Sequence, residues 1–231
     1  MTSAPCGDPD CPVPSPSVNH ISEVSGIVLP AGSRWWRSTR FSPTELVSEV
    51  GNTRFAPLPE VHHGYFGSTR TVALLESTLH SAAGPSPTIY IAHLDGWAIH
   101  EVELTVDLRL ADFRNDQLTR MGLARPQLIT TTIQHYPCTR RWASAIHRSS
   151  GNDLGGVVWH SRQAELHAEA NPGGLLGDVL RHTTAEVAVV WSPPGARDIF
   201  RVTGERVELV ENGSPARIVD ELAHLIGAVV T

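Results

Sequence analysis

The chain has 231 residues, 41% of them hydrophobic and 18% charged. This is the balance of a globular protein with room for one sizeable core, and it excludes a disordered chain. Its net charge of −6 argues against a nonspecific nucleic-acid binder, and no apolar run is long enough to span a membrane.

All 18 cationic residues are arginines. The absence of lysine excludes a Schiff-base lysine, a pyridoxal-phosphate lysine and a P-loop lysine. Any anion must be held by arginine, histidine, hydroxyls or backbone N–H groups, and the planar guanidinium suits phosphates and carboxylates. No basic region followed by an apolar run opens the chain, so no secretory signal is read. The three cysteines, Cys6, Cys11 and Cys138, are an odd and sparse set that fits a reducing cytoplasm better than a disulfide scaffold. Cys6 and Cys11 lack the usual zinc-ligand spacing and a clear fourth ligand, with His20 some way on.

In chain order, residues 1–33 read as an entry arm. Five prolines within the first sixteen positions predict disorder or a loosely draped strap. A domain over residues 34–231 follows. Arg34–Phe41 reads as a strand, and Ser42–Val47 as a short helix with Pro43 at its first position. Gly51–Gly64 is mostly loop, and Tyr65-Phe66 a short strand. Ser68 then caps a helix of about a dozen residues, with Val72, Leu75 and Leu79 at helical spacing and Gly84-Pro85 ending it. Ile89–Ala92, Ala98–Leu104 and Leu108–Phe113 are strand candidates, and Gln117–Gly122 a short helix. A helix over Thr139–His147 precedes the strand Gly156–His160. Glu186–Trp191, Ile199–Val202 and Val207–Val210 read as strands, and Pro215–Val229 as a closing amphipathic helix. Strands and helices mix without clean βαβ alternation, so the expected class is a single-domain α+β fold.

Metal chemistry finds little support. No HExxH occurs among the twelve histidines, His62 and His63 are adjacent, and His160 and His167 have no cysteine partner. No GxSxG suggests a serine hydrolase. Cys138 precedes Thr139-Arg140-Arg141, where a helix dipole and arginines would lower a thiol pKa, but a small buried hydrophobe is the preferred reading. More informative is an ordered set: Arg37 in a strand, Arg54-Phe55 in a loop, Tyr65, Glu76, and Ser161-Arg162 at a strand end. Glu76 stands in an otherwise apolar turn, Ala73-Leu74-Leu75-Glu76, an uncomfortable place for a merely solvated carboxylate.

These residues resemble the RES domain family, named for its Arg, Glu and Ser. The resemblance rests on Trp36-Arg37, Gly51-Asn52-Thr53-Arg54-Phe55-Ala56-Pro57, Gly64-Tyr65-Phe66 and Ala73-Leu74-Leu75-Glu76-Ser77. It continues through Thr139-Arg140-Arg141-Trp142-Ala143 and Gly155-Gly156-Val157-Val158-Trp159-His160-Ser161-Arg162, spanning roughly residues 34–200. The loop reads Asn-Thr-Arg-Phe where many members have Gly-Gly-Arg-Trp. Ser38 stands where some toxic relatives carry an aromatic residue.

The resemblance implies an ADP-ribosyltransferase-like fold of mixed sheets with flanking helices. It implies the toxin of a bacterial toxin–antitoxin pair that degrades NAD⁺, with inorganic phosphate as co-substrate in some members. Protein ADP-ribosylation and a silent partner-binding module are the alternatives. The usual partner is a helix-turn-helix antitoxin covering the active site, in assemblies that are often dimers of pairs. Neither a metal, a membrane nor direct nucleic-acid contact is implied. Chemistry assigns the roles. Cleaving the nicotinamide–ribose bond builds positive charge on the ribose, which a carboxylate stabilises. Glu76 takes that role, Arg37 and Arg54 the pyrophosphate, and Tyr65 the nicotinamide face. Ser161 positions a phosphate or ribose hydroxyl, with Thr139 as a second candidate. Arg40 is an alternative to Arg37, and Arg140, Arg141 and Arg162 are candidates for a phosphate site.

Overall fold

The computed structural model describes residues 4–47, 53–59, 61–80, 87–150, 153–165, 185–192 and 198–231. A mixed sheet of eight strands organises it. The strands are β1 (Gly26–Leu29), β2 (Arg34–Thr39), β3 (His62–Gly67), β5 (Ala98–Leu104), β6 (Leu108–Asp112), β7 (Gly156–His160), β8 (Glu186–Ser192) and β9 (Phe200–Glu208). They lie in the order β1-β6-β7-β8-β3-β2-β5-β9, antiparallel throughout except for the parallel pair β6–β7. Short two-stranded pairs join β4 (Thr88–Ile89) to β12 (Val229–Val230), and β10 (Val210–Glu211) to β11 (Ser214–Pro215). The fold is α+β, as expected.

The central strands are apolar on both faces. Val157 and Val189 join one core cluster while Val158 and Val190 join the opposite one, the period of two that a pleated strand imposes. On the first face lies the longest helix, α6 (Tyr136–Ser149), which buries Cys138, Trp142 and Ile146 at four-residue spacing. A third cluster packs helix α2 (Arg70–Leu75) and helix α7 (Arg217–Ile226) around Leu74, Ile99 and Leu222. Helix α7 stops at Gly227, whose φ of 68° suits a residue without a Cβ.

One junction in the sheet differs from its neighbours. Strands β2 and β5 pair over six residues, as do β3 and β8, but β2 and β3 pair only at Trp36↔Gly67. Beyond that pair the two strands diverge. The segment 42–47 enters the gap, with Val47 bridging His63 in antiparallel fashion.

Several expectations are corrected. Segment 42–47 forms a turn and an isolated bridge, not a helix, because its carbonyls are taken by the Arg37 side chain. Thr69, not Ser68, caps α2 by accepting from Val72 N–H, and Ser68 ties instead to Glu186 on β8. The helix ends at Leu75, so Glu76 is its C-cap and not mid-helix. After Ile89 the chain turns into helix α3 (Ile91–Leu94), not a strand. The two strands expected over 199–210 are mainly one, since Gly204 lies within β9 against Glu101 and does not break it. The Pro-rich arm is a strap with structure of its own. Helix α1 (Val18–Ser22) and strand β1 both fall within it, and Pro14 accepts a 2.6 Å hydrogen bond from Trp142 Nε1–H. Helices α4 (Asn115–Arg120) and α5 (Arg125–Leu128) complete the layer beside α6; α5 was not foreseen. Gly84-Pro85 and His167 lie outside the described residues. No helix among those residues is long and apolar enough to cross a membrane.

Candidate active site

The divergence of β2 from β3 opens a cavity of about 280 Å³. Arg37 comes from β2, His63, Gly64 and Tyr65 from β3, and Glu76 and His80 from the end of α2 and beyond. Thr53 and Arg54 reach it from the loop before β3, Ile133 from the 3₁₀ turn before α6, and Tyr136 from the start of α6. Thus Arg37, Arg54, Tyr65 and Glu76, separated by up to 39 positions, line one cavity.

Arg37 is 4% exposed and its Nη1 donates to the carbonyls of Pro43 at 2.9 Å and Glu45 at 2.5 Å. Its guanidinium lies over the Phe66 ring, 5.4 Å from the centroid. Burial draws its pKa down to about 10, with Glu45 opposing, so it keeps its charge at neutral pH. Arg40 is exposed, over Phe41 and Trp97, and does not line the cavity. This separates the two arginines that the sequence left as alternatives.

Arg54 is also buried. Its Nη2 donates to Thr131 O and Tyr136 Oη, each at 3.3 Å, and the Tyr136 ring lies 4.9 Å beneath the guanidinium. Its Nε is buried without a hydrogen-bond partner, a cost of about 1–3 kcal/mol that an incoming acceptor would remove. Thr139, fully buried, donates to Arg54 O and does not line the cavity. Its part is to fix the Arg54 loop on α6. Arg140 supports the same loop by donating to Thr53 O at 3.1 Å.

Tyr65 closes the loop from the other side. Its hydroxyl donates to Thr53 Oγ1 at 3.0 Å and accepts from Phe55 N–H at 3.2 Å. Burial pushes that phenol up to about 12. Its ring edge meets Trp159 and His63 at centroid distances of 6.1 and 6.2 Å.

Glu76 is partly exposed. Its Oε1 accepts from Ser161 Oγ at 2.6 Å and from Gln163 N–H at 3.4 Å. Ser161 itself is fully buried behind it, and its Oγ also accepts from Ala164 N–H at 3.1 Å. Of the six residues chosen from sequence, four face the cavity. Ser161 and Thr139 each stand one hydrogen bond behind one of those four. Arg162 donates to Thr130 O at the surface.

Sequence reasoning missed His63, His80, Ile133, Tyr136 and Trp159. His63 had a signal, since it lies two positions before Tyr65 on one strand face. Tyr136 and Ile133 had none, because they follow from a 3₁₀ turn, Ile133–His135, that leads into α6. His63 is 2% exposed, and burial, then Arg37 and His62, hold its pKa down to about 4. It is therefore a neutral polar wall. The site brings a carboxylate fixed by a buried hydroxyl and two buried guanidiniums to the lining of one cavity with aromatic walls. Such a site suits a ligand with a cationic or polar ring joined to an anion.

No curated protein sequence matches the chain. Among solved structures, the chain is similar to one from the crystal structure of the M. tuberculosis MbcT–MbcA toxin–antitoxin complex. Identity is 12% and the TM-score 0.53, with 84% of this chain and 93% of the other covered, a likeness of fold. The family model for the RES domain matches residues 27–174, which hold all six of the residues above. By that match, this chain belongs to the RES domain family.

Proposed function

We propose that this protein cleaves NAD⁺ at the nicotinamide–ribose bond and serves as the toxin of a toxin–antitoxin pair. Family membership supports the class. The observation that carries the chemistry is Glu76, held at 2.6 Å by Ser161 in a cavity that also contains Arg37 and Arg54. That cavity, of about 280 Å³, brings the carboxylate, both guanidiniums and the Tyr65 ring to one lining, as a site for the nicotinamide–ribose end and its phosphates requires.

In this reading the glycosidic C–N bond breaks and nicotinamide leaves with the electron pair as a neutral base. Positive charge spreads over the ribose C1′ and ring oxygen, and the Glu76 carboxylate lies opposite it. Ser161 lends that carboxylate a fixed orientation, so no reorganisation is needed as charge develops. Arg54, with its unpartnered Nε, binds the pyrophosphate, and Arg37 supplies the second positive wall. An oxygen nucleophile, water or inorganic phosphate, then bonds to C1′, and a proton it carries passes to solvent or to Glu76. A helix-turn-helix antitoxin covering the mouth of this cavity completes the proposal.

The test follows NAD⁺ with purified protein, with and without phosphate, identifying products by mass, beside Glu76→Gln. Loss of NAD⁺ that depends on Glu76 supports the reading. ADP-ribose 1-phosphate makes the protein a phosphorylase, and free ADP-ribose a hydrolase. Persistence of NAD⁺ in both conditions overturns it. Expression in cells should arrest growth with the wild type but not with Glu76→Gln.

A further inference from the structure

The three cysteines of this chain converge at one place outside the proposed site. Cys6 and Cys11 belong to the arm, in Cys6-Gly7-Asp8-Pro9-Asp10-Cys11. His135 and Cys138 belong to His135-Tyr136-Pro137-Cys138, at the start of α6. Ligand atoms of Cys6, Cys11 and His135 all lie within 4.8 Å of one another. The Cys11 and Cys138 sulfurs are 3.6 Å apart across 127 positions of chain. All three thiols are free.

The Cys11–Cys138 spacing is also that of two ligands of one metal. A tetrahedral zinc with Zn–S of about 2.3 Å holds its sulfurs about 3.8 Å apart. His135 is 5% exposed and its Nδ1 is buried with no hydrogen-bond partner. Its other nitrogen, Nε2, faces Gln134 Nε2 at 3.3 Å and lies 3.8 Å from Asp8 Oδ2. The arm turns tightly between the two cysteines. Gly7 takes a φ of 76°, and turns close from Gly7 N–H to Ala4 O and from Cys11 N–H to Asp8 O.

We propose that Cys6, Cys11, His135 and Cys138 form a closed Cys₃His site for a single structural zinc ion. Three thiolates and a neutral imidazole fill the four positions, and binding releases the protons that the thiols carry. No position stays open for a water, so the ion's work is to join. It fastens the start of the arm, where Cys6 and Cys11 precede the RES match at residue 27, to the first turn of α6. That turn carries Tyr136, which lies against Arg54. Sequence spacing hid the site because its two halves are contributed by segments far apart, and His20 is not among them.

The test measures metal in the full chain purified without chelator. About one zinc per chain is expected, with loss in Cys11→Ser and in His135→Ala and retention in His20→Ala. Chelation should lower the unfolding midpoint of the wild type and leave that of Cys11→Ser in place. Where a variant fails to fold, reconstitution of the wild type with Co²⁺ replaces it, and the intense visible absorption of tetrahedral thiolate coordination is expected. Absence of zinc together with no such Co²⁺ spectrum overturns the site, as does a Cys11–Cys138 disulfide found by mass in freshly purified protein. None of these readings depends on NAD⁺.

Discussion

Ser161 and Glu76, 85 positions apart, are joined by a 2.6 Å hydrogen bond in which the hydroxyl donates to the carboxylate. The same hydroxyl accepts from Ala164 N–H and so caps the turn that follows β7. One buried side chain therefore serves both the fold and the orientation of the candidate catalytic group. Ser161→Ala removes both bonds and is expected to cost about 1–3 kcal/mol of stability. NAD⁺ turnover should fall further than stability alone explains. Denaturant unfolding and turnover measured on the same preparation separate the two effects.

Tyr65 acts through its hydroxyl. Tyr65→Phe leaves Phe55 N–H without its acceptor and releases Thr53, loosening the loop that carries Arg54. The expected loss is about 1–3 kcal/mol in stability. Because the ring remains, the kinetic effect should fall on KM for NAD⁺ more than on kcat, and a steady-state comparison with the wild type reads this directly.

Gly67 sits where β3 meets α2. A Cβ there would lie 2.4 Å from Ala73 N and 2.7 Å from Ala73 Cα, both main-chain atoms that cannot swing aside. Gly67→Ala must push α2 outward, at a cost of about 1–3 kcal/mol. Since Glu76 caps that helix, turnover should fall with it. Thermal unfolding and activity together check the prediction, and an unchanged melting temperature would refute the close packing.

His63 makes stability depend on pH. Its folded pKa, about 4, lies below the unfolded value of 6.5. The unfolded state therefore takes up a proton first as pH falls. Its contribution is whole above pH 6.5 and is lost progressively between 6.5 and about 4, amounting to about 3 kcal/mol at the lower end. Burial lowers His80, His100 and His147 in the same direction. Urea midpoints measured from pH 7 to pH 4.5 should fall, and His63→Asn should flatten the curve.

Much of the frame was legible because central strands announce themselves. Ala98–Leu104 and Gly156–His160 were read with the bounds they have: Gly156–His160 carries an apolar run, and Glu101-Val102-Glu103-Leu104 alternates polar with apolar. Elements held by side-chain to main-chain bonds were not legible. Segment 42–47 has the composition of a capped helix, yet two of its carbonyls are claimed by Arg37 from a neighbouring strand. The site shows the same division. Residue type identified Arg37, Arg54, Tyr65 and Glu76, but could not place Ser161 and Thr139 behind the cavity instead of in it. That distinction depends on which way a buried hydroxyl turns, and only the packed structure decides it.

The single register pair Trp36↔Gly67 leaves the eight-stranded sheet as two blocks, β1-β6-β7-β8-β3 and β2-β5-β9, that meet at a seam. The cavity lies along that seam, with Arg37 on one block and His63 and Tyr65 on the other. Any molecule bound there is a stitch across the seam. Its occupancy should make the two blocks melt as one unit, sharpening the unfolding transition as well as raising its midpoint.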